Sequence, residues 1–322
     1  MKDQIYNRLV ELVSTECVQI DEPLLHHTTF KIGGPADYFV TVDNAVTLSK
    51  VIRFCKEAQL PYYVLGKGSN LLVSDAGYRG VVIHLSSGKG IELLDEKDEA
   101  YQRVANAYGQ EIEHMAVYRC QAGVSLIAFS LEVSRAGYTG FEFATGIPGS
   151  LGGAVTMNAG AYDGEMKLRI FEATVVDCDG QIKTYSKDDL QMNYRSTIIQ
   201  KNGSIVTEAV FVFEQGDKET IMARVKELGA LRAQKQPLEY PSAGSTFKRP
   251  TGYYAGKLIM DSGLRGFQLG GAQISEKHCG FVINKENATA KDVTDLIHHV
   301  QKIVKEKFDV SIETEVKFLG DF

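Results

Sequence analysis

The sequence predicts an α+β protein, and three observations carry that expectation. Short runs alternating apolar and polar residues recur between positions 80 and 185, which points to a mainly antiparallel sheet. Apolar residues at helical spacing mark separate helices towards both ends of the chain. Two unlike glycine-rich loops, at 66–70 and 146–154, lie where backbone must stay bare.

Taken in order, Ile5, Leu9, Val10, Leu12 and Val13 form the apolar stripe of a first helix. A glycine turn (Gly33, Gly34, Pro35) feeds an apolar strand, a helix follows through Val51, Ile52 and Phe54, and Pro61 ends it. Residues 62–65 read as a short strand running into the first glycine loop, and 71–73 resume apolar character before Asp75, Ala76 and Gly77 turn the chain. Strands are then expected over 81–85, 91–94 and 101–105, with the acidic cluster 95–99 as a solvated hairpin tip, and helices over 112–121 and 126–134. Beyond the second glycine loop, hairpins are expected to turn at Asp179-Gly180 and at Asn202-Gly203. A charged helix over 218–234 leads to Pro237 and Pro241, read as a hinge. The last helix opens with Thr289 and Asp292 at capping-box spacing and sets Val293, Leu296, Ile297, Val300, Ile303 and Val304 on one face; a strand over 310–319 follows.

Composition narrows the function classes. At 322 residues the chain exceeds the size at which one core keeps growing, so two or three packed units are expected. A net charge of -6 without any basic run argues against nucleic acid as partner. The five cysteines are scattered and never form a CxxC pair, which fits a reducing compartment better than a disulfide or zinc framework. The adjacent pairs His26-His27 and His298-His299 are unsuited to sharing a metal, so no metal site is expected. Neither a signal peptide nor a run of about 18 apolar residues is present, so a cytoplasmic protein without membrane insertion is expected.

The second loop has four glycines among Gly146, Ile147, Pro148, Gly149, Ser150, Leu151, Gly152 and Gly153, a density best explained by backbone approaching a ligand, with anion-binding N–H nests as one expected means. The first loop, Gly66, Lys67, Gly68, Ser69 and Asn70, is shorter and reads alone as readily as a turn. Neither fits the dinucleotide or Walker fingerprints, yet the two together suggest a dinucleotide held between subdomains. Polar residues stand among apolar ones at 193–196, 243–248 and 313–317. Taken singly, Arg195 reads equally as a surface ion-pair partner, Ser245 as a turn residue, and Glu315 as the outward face of a strand shared with Glu313 and Lys317.

These motifs, with the run 28–36 and Asn158-Ala159-Gly160, resemble in order and type the UDP-N-acetylenolpyruvoylglucosamine reductase (MurB) family over about 23–320. The resemblance implies a two-subdomain FAD-binding fold of the p-cresol methylhydroxylase type, placed at 1–85 with the N-terminal helix and at 86–214. It also implies a C-terminal α+β substrate-binding domain at 215–322, whose last strand returns to the FAD region. Residues 66–70 and Gly146, Ile147, Pro148, Gly149, Ser150, Gly152 and Gly153 would contact FAD; Arg195, Ser245 and Glu315 match the catalytic trio. Tyr194 and Lys235, together with Arg195, match substrate-binding positions. Arg249 departs from relatives that place Asn there, and the short stretch from Arg195 to Lys235 resembles the shorter type II members.

The implied reaction is NADPH-dependent, FAD-mediated reduction of an enolpyruvyl ether on a UDP-sugar, a step of peptidoglycan precursor synthesis. Charge would build on C2 and the carboxylate, where Arg195 would pair and Glu315, if held protonated by burial, would hydrogen-bond, and Ser245 would protonate C2. With Ser69 and Asn70 in the first loop and the nearest histidine at His84, noncovalent FAD is favoured. A monomer is favoured too. An oxidase on the same scaffold and a non-catalytic nucleotide-binding protein are the alternatives.

Overall fold

A computed structural model describes residues 2–88 and 90–322. The chain divides into two compact units, one built from 1–19, 39–66 and 82–231, the other from 20–38, 67–81 and 232–322.

The first unit is organised on an antiparallel sheet in the order Ile182–Ser186, Ile170–Val176, Ile205–Gln215, Met115–Gln121, Ile91–Leu93, with Tyr138–Thr139 pairing the end of the long central strand. That strand is apolar on both faces because each face meets its own core. Ala209, Phe211 and Phe213 join Phe129 and Phe141 on one side. Val210 and Val212 join Val117, Ala100 and Val104 on the other. The aromatic side is covered by helices Leu126–Arg135 and Leu151–Thr156, which carry Phe129, Leu151 and Val155 into it.

Four expectations are corrected here. Residues 101–105 belong to helix Glu99–Tyr108, not to a strand. The Asp98 side chain accepts the Ala100 N–H, so the acidic cluster is a helix start rather than a hairpin tip. Residues 112–121 form no α-helix; a 3-10 helix, Gly109–His114, ends there and strand Met115–Gln121 follows. Asn202-Gly203 closes the helix Ile198–Asn202, with Gly203 left-handed at φ +69 as its C-cap, instead of turning a hairpin. The Asp179-Gly180 hairpin does form: Val176 faces Ile182, and the Gly180 carbonyl accepts bonds from Ser49 and Arg53.

The second unit has a three-stranded meander, Gln268–Leu269, Ala272–Ile274 and Val282–Asn284. Helix Ala290–Phe308 buries Val293, Leu296, Ile297, Val300 and Val304 in the same core as Ala272, Ile274 and Val282. Its N-terminus has the expected capping box of Thr289 and Asp292, and Asp75 accepts the Ala290 and Lys291 N–H groups besides. The expected strand over 310–319 shrinks to Lys317–Leu319, which runs parallel to Leu71–Val73. Among the described residues no helix is long and apolar enough to cross a membrane.

Asp292 accepts the Thr289 and Gly271 N–H groups, and these bonds hold its carboxyl below the ordinary carboxylate range. Because the folded pKa is depressed, the contribution is complete above about pH 4 and lost as pH falls through the lowered value. Asp292→Asn should therefore flatten the fall in urea midpoint between pH 5 and pH 3, measured against the parent chain.

Candidate active site

In the first unit Arg195 stands at the third position of a turn closed by the Ser196 N–H to the Asn193 carbonyl, 3.1 Å, and its φ of +53 is left-handed. A residue with a Cβ held there is strained by roughly 1–3 kcal/mol, so the surroundings must over-determine it. They do so from two directions. Asn158, 1% exposed, donates to the Asn193 carbonyl at 3.2 Å and to Glu165 at 2.9 Å, and its Oδ1 accepts the Lys167 N–H. Thr197 and Gln200 both donate to the Thr156 carbonyl, and Gln200 also reaches the Arg195 carbonyl. The guanidinium donates to the Gly160 carbonyl at 3.1 Å and lies 5.2 Å from the ring centre of exposed Tyr194. The motif Asn158-Ala159-Gly160 thus serves Arg195: its asparagine braces the turn and its glycine carbonyl orients the side chain.

The two glycine loops meet in this unit at one point. A Cβ on Gly66 would lie 2.2 Å from Ser150 Oγ, so a larger residue there would have to displace the Ser150 hydroxyl. Gly152 is needed for packing, since a Cβ there would be 2.7 Å from that of Ala122. Within the second loop the N–H groups of Gly149, Leu151, Gly152 and Gly153 donate to Ile147, Val124, Ala122 and Ser150, so these four do not form the expected nest. Gly153 is exposed, and a Cβ would meet only Ser150 Oγ at 3.3 Å, which leaves bare backbone facing outwards. Gly146, Ile147 and Pro148 lead into this surface, with Pro148 exposed. His84 bonds the Leu65 carbonyl at 3.2 Å and stacks on Phe39.

In the second unit Ser245 and Glu315, seventy positions apart in sequence, lie on neighbouring extended segments joined through Thr246. Thr246 is 1% exposed. Its N–H donates to the Gly280 carbonyl at 2.8 Å, its hydroxyl accepts the Val282 N–H at 2.9 Å, and its carbonyl accepts the Glu315 N–H at 2.8 Å. Ser245 itself is exposed and follows left-handed Gly244, while Glu315 is half-buried. Asn70 belongs to the same construction: its side chain donates to the Glu315 carbonyl at 3.2 Å and its carbonyl accepts the Lys317 N–H. Gly68 is left-handed, and a Cβ there would lie 2.2 Å from the His27 carbonyl; Lys67 is exposed and Ser69 half-buried. Lys235 is exposed at the end of helix Lys218–Lys235. Arg249 lies 4.0 Å over the Tyr254 ring, and Lys248 pairs with Glu313 at 2.8 Å.

Sequence reasoning assigned no role to Thr246 or Asn158. Thr246 lies inside the motif that was read for Ser245, and a β-branched hydroxyl between Ser and Phe gives no signal of three simultaneous bonds. Thr246→Val keeps the shape but leaves the buried Val282 N–H without its acceptor, an effect of about 1–3 kcal/mol. The urea midpoint of the variant should drop accordingly.

Residues 36–186 match the family model of an FAD binding domain, and residues 236–319 that of the UDP-N-acetylenolpyruvoylglucosamine reductase C-terminal domain. The fold and these matches define an FAD-dependent oxidoreductase with an α+β architecture. The chain is 50% identical to a UDP-N-acetylenolpyruvoylglucosamine reductase of Lachnoclostridium phytofermentans, covering 100% of this chain and 99% of that protein. To one from Clostridium perfringens it is 47% identical over 98% of both chains. The crystal structure of the reductase from Thermus caldophilus superposes with a TM-score of 0.75 at 34% identity, covering 94% of this chain and 98% of that one. The chain belongs to the UDP-N-acetylenolpyruvoylglucosamine reductase family.

Proposed function

We infer that the chain reduces UDP-N-acetylglucosamine enolpyruvate to UDP-N-acetylmuramate, with FAD as cofactor and NADPH as reductant, in peptidoglycan precursor synthesis. An FAD binding domain followed in one chain by the reductase C-terminal domain carries the reading. The residues present suit FAD: the glycine loops close on each other at Gly66 and Ser150, and Gly153 offers backbone unscreened by a side chain. Residues 66–70 and 146–153 would hold it, noncovalently. When bound, FAD supplies the two-electron chemistry that carries reducing equivalents from NADPH to the enol ether.

The remaining work falls to side chains. The substrate's carboxylate is conjugated with the double bond, so charge develops on it as C3 is reduced. Arg195 suits that charge, because its guanidinium is always ionised and can pair a carboxylate bidentately. Ser245 donates its hydroxyl proton to C2, and Glu315, in its protonated form, donates a hydrogen bond to the same developing enolate. Tyr194 and Lys235 suit the substrate's diphosphate or carboxylate. The enzyme acts in the cytoplasm as a monomer on this reading.

The experiment is anaerobic stopped-flow. Protein reduced by NADPH should recover its oxidised flavin spectrum rapidly on mixing with UDP-N-acetylglucosamine enolpyruvate. Reoxidation by dioxygen alone, with no response to the enolpyruvyl sugar, would place the chain among oxidases instead.

A further inference from the structure

The loop between strands Ala272–Ile274 and Val282–Asn284 carries a side chain that the mechanism leaves unused. His278 is half-buried, its ring meets Phe281 edge-on at 4.9 Å, and a Cβ on Gly256 would lie 3.4 Å from its Cε1. Its Nδ1 accepts the Gly280 N–H at 3.1 Å, so the neutral ring carries its proton on Nε2. Burial lowers the imidazole pKa from its ordinary value, which favours that neutral acceptor form. A ring nitrogen accepting the N–H two residues on reproduces the bond of an Asx turn.

Several further bonds close the loop on its own atoms. Ser275 Oγ accepts the Lys277 and His278 N–H groups, each at 3.2 Å. The Ser275 N–H donates to the Phe281 carbonyl and the Phe281 N–H to the His278 carbonyl, each at 2.9 Å. Outward, Lys277 pairs with Glu239 at 3.7 Å, and the Gly280 carbonyl accepts the Thr246 N–H at 2.8 Å. Thr246 follows Ser245 directly and holds the Glu315 N–H.

We propose that His278 is a positioning residue for the protonation step: by holding the Gly280 N–H through Nδ1, it fixes the carbonyl that seats Thr246, and through Thr246 the hydroxyl of Ser245. The proposal rests on Ser245 being the proton donor. Glu276 and Lys277 beside it are exposed, so the half-buried imidazole, not a charged neighbour, supplies this bond. The chain of bonds runs entirely through backbone after the first link, which makes the needed chemistry simple. Any side chain with an acceptor atom where Nδ1 lies should serve.

That requirement sets the test, made on the FAD-loaded enzyme. His278→Asn places an amide oxygen near the position of Nδ1 and should stay within about threefold of the parent. His278→Leu removes the acceptor and should slow reoxidation of reduced flavin by UDP-N-acetylglucosamine enolpyruvate by about 10- to 100-fold, the scale on which small misplacements act. Reduction by NADPH should not change. His278→Gln, whose amide lies one methylene too far, keeps a polar side chain and should nevertheless resemble the Leu variant. In a Ser245→Ala background His278→Leu should add less than about threefold, because nothing is left to position. Equal losses in the Asn and Leu variants, equal losses in both half-reactions, full additivity with Ser245→Ala, or failure of both Leu and Gln variants to retain flavin would each overturn the proposal. If Ser245→Ala alone were without effect, the donor assignment would fall first, and the two failures are thereby distinguished.

Discussion

Replacing Ser245 by alanine is expected to slow reoxidation of the NADPH-reduced enzyme by UDP-N-acetylglucosamine enolpyruvate by about 100- to 10,000-fold, the usual contribution of a positioned proton donor. Reduction by NADPH should proceed at the parent rate. The asymmetry follows from where the proton is needed, since only the second half-reaction makes a carbon base. The position suits the role: Ser245 is exposed, yet its neighbour Thr246 is 1% exposed and fixed by bonds to Gly280, Val282 and Glu315. A hydroxyl on such a support is held without being buried. Removing an exposed hydroxyl should change stability by no more than about 0.5 kcal/mol, so folding does not confuse the result. Stopped-flow absorbance of the flavin reads both half-reactions in one preparation, and a variant that reoxidises at the parent rate would remove Ser245 from the mechanism.

Local signals in the sequence were legible where one principle acted alone. Thr289 and Asp292 announced a helix start because a capping box is complete within four residues, and Asp179-Gly180 announced a hairpin that forms. Misreadings arose where tertiary context supplied a second apolar face. Strand Met115–Gln121 sends Ala116, Tyr118 and Cys120 into one core and Val117 into the other, so its alternation vanishes and it reads as a helix. Helix Glu99–Tyr108 covers that second face with Ala100 and Val104, and its charged exposed side disguised it as strand and turn. At Gly203 the sequence showed the need for positive φ but not which element required it.

The site was legible as motifs rather than as construction. The clusters around Arg195, Ser245 and Glu315 stood out in sequence and took their expected roles from the family resemblance, but the atoms that fix them come from far along the chain: Asn158 and Gly160 for Arg195, Gly280 and Asn70 for the Thr246–Glu315 pairing. Such ties are made largely through backbone groups, which every residue type carries, so composition leaves no trace of them. The same holds for the second compact unit, which draws 20–38 and 67–81 together with 232–322.

Arg195 provides the other large effect. Arg195→Ala should lower the rate of reoxidation by the enolpyruvyl substrate by about 100- to 1,000-fold, the cost of losing one preorganised donor to a developing oxyanion. Arg195→Lys should restore only part, because an ammonium keeps the charge and gives up the fork that addresses a planar carboxylate and the Gly160 carbonyl together. The charge grows towards the transition state, so kcat should fall more than KM rises. Backbone geometry adds an independent check. At φ +53 any residue with a Cβ is strained by about 1–2 kcal/mol relative to glycine, so Arg195→Gly should be as inactive as Arg195→Ala but unfold at a higher urea concentration. Gain of stability with loss of turnover at one position is the mark of strain kept for function. If the glycine variant were instead the less stable, the turn would be held by the Arg195 side chain itself, and the strain at this position would have no bearing on catalysis.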